Sequence, residues 1–256
     1  MDNQKKYSEL FENIDLKKGD TVYIASDALS LIMHFKEIDI SFEPNVFIDT
    51  IIDIVGVEGT ILFPTYNWDF CKGKIFDYKK TISECGSLSN IALNRHDFKR
   101  TKHPIYSFAV YGKHQDYLCS LENKTSWGKD SPFHFLFKNS KNLFIGIDYK
   151  DGFTMDHYFE QLMNVEYRFN KDFTSIYLDE NGLKQKKTYS MFVRNLDIVD
   201  ITKINPKLDE VLIKNDALKI NVVKKIMFSL IYLDKAGEII IDDLKSGGNY
   251  IYPLKY

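Results

Sequence analysis

The 256 residues carry 34 basic and 36 acidic side chains, a formal net charge of −2, with 44% hydrophobic and 27% charged residues. That balance fits a soluble globular protein, leaves no general positive field to hold nucleic acid by counterion release, and points to a small-molecule partner. MDNQKKYSELFENIDLKKGD at the start lacks the apolar core of a secretory signal, and no apolar run reaches the roughly 18 residues of a membrane span, so the cytoplasm is the expected address.

DTVYIA (20–25) and GTILFPT (59–65) are short apolar runs rich in β-branched residues, and NVFIDTIIDIVG between them has helical spacing and a closing Gly56. Strand, helix, strand is the reading. SLSNIALNR then reads as a helix, SFAVYG as a strand, SPFHFLFKN as a short helix opened by Ser131 and Pro132, and NLFIGI as a strand. This alternation predicts a three-layer α/β/α fold with a mixed central sheet covered on both faces. After Arg168, FTSIYLDENGLKQKKTYSMFV reads as a β-hairpin turning at ENG, and INPKLDEVLIKND as a helix; residues 218–243 fit strand and helix equally. No linker, repeat or low-complexity tract divides the chain, so residues 1–256 are expected to form a single domain.

Cys71, Cys85 and Cys119 are odd in number and lack CxxC spacing, which opposes a disulfide framework or a structural zinc site. His96, His103 and His114 have no helical ligand spacing, and no metal is expected. Neither a dinucleotide glycine fingerprint nor a P-loop occurs, and ECGSLSN around Cys85 and Ser87 is not a nucleophile elbow.

The stretch of greatest chemical interest is TMDHYFEQLMNVEYRF. Read as a helix over 154–167, it places His157 and Glu160 three residues apart on its polar side, within side-chain reach. Thr154 follows the turn YKDGFT as a candidate N-cap, just beyond the strand NLFIGI, where open α/β folds tend to place ligands. A neutral imidazole accepts a proton near pH 7, and a carboxylate on its other nitrogen fixes the tautomer. His-x-x-Glu alone is weak evidence, since a solvated or core-satisfied pair has the same spacing, and Glu166 is a second carboxylate nearby.

Several pieces in order supply a context: GDTVYIAS, GTILFPTYNWDF, CGSLSNIALN, RTKHPIYSFAVYG, WGKDSPFHFLF, LFIGIDYKDGFTMDHYFE and YRF. Over most of residues 19–169 the chain resembles the aminoglycoside 3-N-acetyltransferase family. The resemblance implies direct transfer from acetyl-CoA in a ternary complex, with His157 as general base, Glu160 orienting it and Thr154 as a hydroxyl in the catalytic set. It also implies coenzyme contacts from Ser26, Ser30, His103 and Ser107, although a plain turn reading, with His103 as a cap beside Pro104, competes for the last two. One departure stands out: after the first strand the family has a histidine, serines and glycines, whereas here Ala25 replaces the histidine and no glycine pair follows. A helix N-terminus at that point offers N–H groups to a pyrophosphate, and backbone N–H groups near DGFT or ASDA are candidate oxyanion donors.

For the acceptor, Asp69, Asp77, Asp148, Asp151 and Asp156 could line a cleft for a polycation, yet the near-neutral charge does not emphasise one. Tyr66, Trp68, Trp127 and Phe133 could stack on a sugar or base, with ordinary packing as the simpler reading of each. The expected reaction is therefore acetyl-CoA-dependent N-acetylation of an amino sugar, nucleotide-linked forms of surface-glycan synthesis included, with aminoglycoside modification as the alternative. A non-catalytic scaffold of the same fold is the reading from another class, and oligomerisation is left open.

Overall fold

The computed structural model describes residues 3–197, 204 and 207–247. Along the chain run α1 (Asn3–Phe11), β1 (Thr21–Ser26), α2 (Ala28–Glu37), α3 (Pro44–Val55), β2 (Thr60–Pro64), β3 (Phe76–Asp77), α4 (Ser87–Asn94), β4 (Lys99–Arg100) and β5 (Phe108–Gly112). There follow α5 (Gln115–Ser120), α6 (Pro132–Asn139), β6 (Ser140–Ile145), α7 (Met155–Met163), β7 (Arg168–Leu178), β8 (Lys184–Arg194), α8 (Lys207–Lys214), β9 (Leu218–Val223), β10 (Ile226–Tyr232) and α9 (Leu233–Lys245). None of the described helices is long and apolar enough to cross a membrane.

Seven strands form the central sheet in the order β4-β5-β2-β1-β6-β10-β9. Its middle is parallel, β1 pairing with β2 and β6, and both flanks are antiparallel, so the sheet is mixed. Alternation along each strand supplies two cores. Val22 and Ile24 of β1, Ile61 and Phe63 of β2, and Leu143 and Ile145 of β6 pack with α1 to α4 on one face. Tyr23, Leu62 and Phe144, one residue out of phase, pack with α6, α7 and α9 on the other. Each large apolar side chain so buried contributes about 1.5–3 kcal/mol, which fixes the register.

Close approach on the second face depends on Gly237 of α9. A Cβ there would lie 2.3 Å from Phe137 of α6 and 2.7 Å from Phe159 of α7, so any side chain would push α9 off both helices. Through Gly237, α9 therefore lies directly on the rear of α7.

A second sheet, β3-β7-β8, is dominated by the expected hairpin, whose arms stay paired from Arg168 opposite Arg194 to Leu178 opposite Lys184. Asp179 closes its turn by accepting from the N–H groups of Asn181 and Leu183.

Some expectations need correction. The helix read over 154–167 stops at Met163, because Asn164 adopts the left-handed conformation (φ 49°), which asparagine tolerates better than most residues and which reverses the chain toward β7. The ambiguous residues 218–243 resolve into β9, β10 and α9, and the helix read in INPKLDEVLIKND appears as α8, with positions 205 and 206 of that stretch outside the described residues. The helix N-terminus read after β1 is that of α2, capped by the Asp27 carboxylate, which accepts the Leu29 N–H at 2.9 Å.

Candidate active site

β6 ends at Ile145, paired with Ser26 at the end of β1, and the chain leaves the carboxyl edge of the parallel strands through Gly146. Gly146 has φ +71°, and a Cβ on it would collide with Ser30 Oγ, so the exit is open to glycine alone. A short 3-10 turn at Tyr149–Asp151 follows, and then α7 begins. A cavity of about 170 Å³ opens here, lined by Lys150, Gly152, Thr154, Asp156, His157 and Arg194 among others.

His157 stands on the first turn of α7 with one fifth of its side chain exposed, while the carboxylates beside it are buried. Its Nδ1 lies 2.8 Å from Asp156 Oδ1 and 3.2 Å from Glu160 Oε2. Arg168, at the start of β7, closes the cluster from above. Its Nε is 2.7 Å from Glu160 Oε2, its Nη1 donates to Phe192 O at 2.9 Å, and its Nη2 is 3.0 Å from His157 Nδ1. Trp127 meets the imidazole edge-on at 4.9 Å between centroids.

The arginine and the carboxylates compete for Nδ1. Two carboxylate oxygens facing one ring nitrogen repel a lone pair there and attract an N–H, and these charge-assisted contacts outweigh a single guanidinium approach. With the proton on Nδ1 the carboxylates are served and the lone pair resides on Nε2, whereas the Arg168 Nη2 donor at 3.0 Å serves the opposite tautomer. Burial pulls the imidazole pKa down, but the Asp156 charge and the hydrogen bonds the ring donates to Asp156 and Glu160 more than offset it against opposition from Arg168, so the net shift is upward. For Asp156, burial raises the pKa while His157, Arg168 and Arg194 lower it by more, and the carboxyl stays ionised. The hairpin register explains this: Arg168 and Arg194, cross-strand partners, arrive together beside α7.

Asp156, His157 and Glu160 bring one ligand atom each within 4.8 Å of one another, a spacing a metal ion could use. The Arg168 guanidinium already occupies that position, 2.7 Å from Glu160, and a cation there would meet a like charge.

The other expected residues fall in different places. Thr154 borders the cavity beside His157, but its side chain does not cap α7. Ser26 is partly exposed at the end of β1; Ser30 donates to Asp27 O at 2.8 Å and packs on Gly146. The Asp27 carboxylate at the tip of α2 sets a negative charge where a pyrophosphate would otherwise find free N–H groups.

His103 and Ser107, coenzyme contacts by the resemblance, are both sealed from solvent and committed to internal bonds. His103 Nδ1 accepts the N–H groups of Ile105 and Tyr106 at 3.3 and 3.1 Å, and burial drives its pKa down to about 3. Ser107 Oγ receives Arg100 Nε at 3.0 Å and donates to Thr65 O at 2.9 Å.

Of the aspartates considered for a cleft, Asp69 is bound by Lys72 and Lys74, Asp77 and Asp148 cap turns, and Asp151 and Asp156 line the cavity. Tyr66, Trp127 and Phe133 pack in the core, as the simpler reading held. Glu166 is exposed.

Sequence reasoning missed Asp156 and Arg168 as partners of His157. The YRF piece held the only signal for Arg168, an arginine just past the helix at a strand start.

A family model described as aminoglycoside 3-N-acetyltransferase matches residues 34–230. By sequence, the chain is 25% identical over 170 residues to the SPbeta prophage-derived aminoglycoside N(3')-acetyltransferase-like protein YokD of Bacillus subtilis (strain 168), covering 57% of this chain and 60% of that protein. The match thus spans less than two thirds of that curated relative. By structure, it is similar to sisomicin-bound AAC-VIa (TM-score 0.79, 18% identity, 96% of this chain and 98% of that one). It is likewise similar to AAC-IIIb in its binary complex with CoASH (TM-score 0.77, 14% identity, 96% and 97%). At such identities the structural likeness carries the fold.

Proposed function

The chain belongs to the aminoglycoside 3-N-acetyltransferase family, and from that premise we propose that it is an acetyl-CoA-dependent N-acetyltransferase acting on the amine of an amino sugar, residues 1–256 forming one acyltransferase domain. The observation that carries this reading is His157 itself: a partly exposed imidazole on a cavity wall, its Nδ1 held by buried carboxylates. In this reading Nε2 takes a proton from the acceptor amine as the amine nitrogen attacks the thioester carbonyl. The C–N bond forms, the C–S bond breaks, and the departing thiolate recovers a proton from the imidazolium. Glu160 and Asp156 hold the ring and balance the charge it gains, and His157 and Arg168 hold the Asp156 carboxyl below its ordinary range.

Acetyl-CoA is a substrate in this scheme. Ser26, at the end of β1, keeps the exposure needed to meet it; Ser30, His103 and Ser107 are committed to internal bonds. CoASH is bound by AAC-IIIb, a protein of the same fold, which supports the choice of donor.

For the acceptor, Lys150 and Arg194 stand beside Asp151 and Asp156 on the cavity wall. A wall of mixed sign suits an acceptor with both an amine and an anion, as a nucleotide-linked amino sugar has. The second reading, an aminoglycoside, is favoured by the two aspartates and by the family's description. Thiol release from acetyl-CoA against a panel of aminoglycosides and nucleotide-linked amino sugars separates the two, with His157→Ala alongside. Turnover lost in that variant supports the base; a native chain with neither turnover nor calorimetric acetyl-CoA binding leaves the scaffold reading ahead.

A further inference from the structure

Three groups meet the His157 imidazole at one atom. Asp156 Oδ1, Glu160 Oε2 and Arg168 Nη2 all lie within 3.2 Å of its Nδ1. Hydrogen bonds tolerate about 30° of tilt, so a ring held at one corner can swing about that corner, and the far nitrogen travels furthest. A general base works only within about 2.6–3.2 Å of the proton's donor atom. The plane of the ring therefore needs a restraint of its own.

Trp127 stands where that restraint is needed. Its ring meets the imidazole at 75°, with centroids 4.9 Å apart, and its side chain is 2% exposed. Tyr106 packs against the indole at 4.6 Å between centroids, and Phe133 at 6.4 Å. On the N-terminal side, Ser126 donates its N–H and its hydroxyl to Ser190 O, at 2.9 and 3.1 Å. On the C-terminal side, a Cβ on Gly128 would lie 2.3 Å from Thr125 Oγ1 and 2.5 Å from Asp130 Oδ1, so the turn there closes tightly. The indole is thus fixed by its neighbours and from both directions along the chain.

The same strand anchors the guanidinium. Ser190 and Phe192, two residues apart on β8, present their carbonyls along one edge; the first receives Ser126, and the second receives Arg168 Nη1 at 2.9 Å. Packing alone does not select a tryptophan at 127. Its Nε1–H is buried and meets no acceptor among the described residues, a cost that phenylalanine would avoid.

We propose that Trp127 is a positioning residue for the base: its indole fixes the plane of the His157 ring and so the aim of Nε2, while the edge of β8 holds Trp127 and Arg168 in step. The inference rests on the general-base reading above and adds the residue that makes the base precise.

Thiol release per folded molecule tests it with Trp127→Leu, Trp127→Phe and His157→Ala. Trp127→Leu should lower kcat about a hundredfold, the scale of a misplaced catalytic group, with KM for acetyl-CoA unchanged. Trp127→Phe should recover most of that loss. The Trp127→Leu/His157→Ala pair should be no slower than His157→Ala alone, whereas a core residue without a tie to the base would add its own loss. Should Trp127→Leu fold poorly, Ser126→Ala loosens the same segment and should lower kcat in the same direction, by less. A second readout needs no turnover. In Trp68→Phe, Trp127 is the remaining tryptophan, and an imidazolium in contact quenches indole emission. Emission should therefore fall as pH is lowered through protonation of His157, and stay level once His157→Gln is added. Level emission in Trp68→Phe itself, a native kcat in Trp127→Leu, or additive losses in the pair overturns the inference alone. A native chain without turnover, or full turnover in His157→Ala, overturns the reading beneath it, and the positioning role with it.

Discussion

Arg100 and Arg168 are both almost wholly buried, each with a histidine in its stretch of chain, yet their surroundings differ in one respect. Arg100 gives its donors to neutral oxygens, Ser107 Oγ, Thr65 O and Thr81 O, and lies over the Phe76 ring at 4.7 Å; burial lowers its pKa to about 10. Arg168 faces Glu160, with Asp156 close by and a cavity opening beside them. The histidines follow suit: His103 is driven down to about 3, and His157 is raised. A buried guanidinium among carbonyls ties loops together, whereas one among carboxylates at a cavity wall sustains a charge that chemistry can use.

The sharpest test of this contrast is His157→Ala, which should cut kcat by roughly a thousandfold, as expected for a lost general base, while costing about 1 kcal/mol of stability or less. Thiol-release kinetics beside a urea titration read both; a variant that unfolds but retains turnover would place His157 with His103. Arg100→Met should invert the pattern, costing about 3 kcal/mol because several buried oxygens lose their donor, with kcat per folded molecule unchanged.

Asp156→Asn comes next in size. The acid limb of the native rate–pH profile should have its midpoint above the ordinary histidine value of 6.5, because the base must be neutral. Removing the strongest upward influence on the imidazole should move that midpoint to lower pH, with a loss of about tenfold in rate. A midpoint that does not move would remove Asp156 from the site. Stability carries a matching signature: the raised His157 contributes fully below 6.5 and loses its contribution as pH rises through its folded value, and the depressed Asp156 contributes above 3.8 and fades as pH falls through its own. The smallest effect belongs to His103→Ala, about 1 kcal/mol from the lost turn bonds, with no change in the rate profile between about pH 5 and about pH 9, since that imidazole is neutral throughout.

Local chemistry made β1, β2 and the hairpin readable: short apolar runs rich in β-branched residues, and Asp179 to Gly182 shaped for a turn. IMFSLIY of β10 was not readable, because a strand buried on both faces has the composition of a buried helix. At the site, His157 and Glu160 were visible as neighbours along one helix, whereas Arg168 reaches them by a reversal at Asn164 that spacing does not disclose. Asp156 precedes His157 directly, a spacing that does not face it on a regular helix; only the first-turn geometry lets its carboxylate reach both the N–H and Nδ1 of its neighbour. The Arg100 to Ser107 element shows the converse. Its order along the chain was legible and its burial was not, since depth is a property of the assembled sheets.

Gly237, the bare position where α9 rests on Phe137 and Phe159, bears on biosynthesis. A ribosome releases His157 roughly eighty residues before the helix that seats α7, at about 5–20 residues per second. For several seconds the nascent chain therefore holds every member of the His157 cluster with the rear of α7 exposed. A bulky residue at 237 would prolong that interval, and its first symptom should be aggregation of newly made chains rather than slow turnover in those that finish folding.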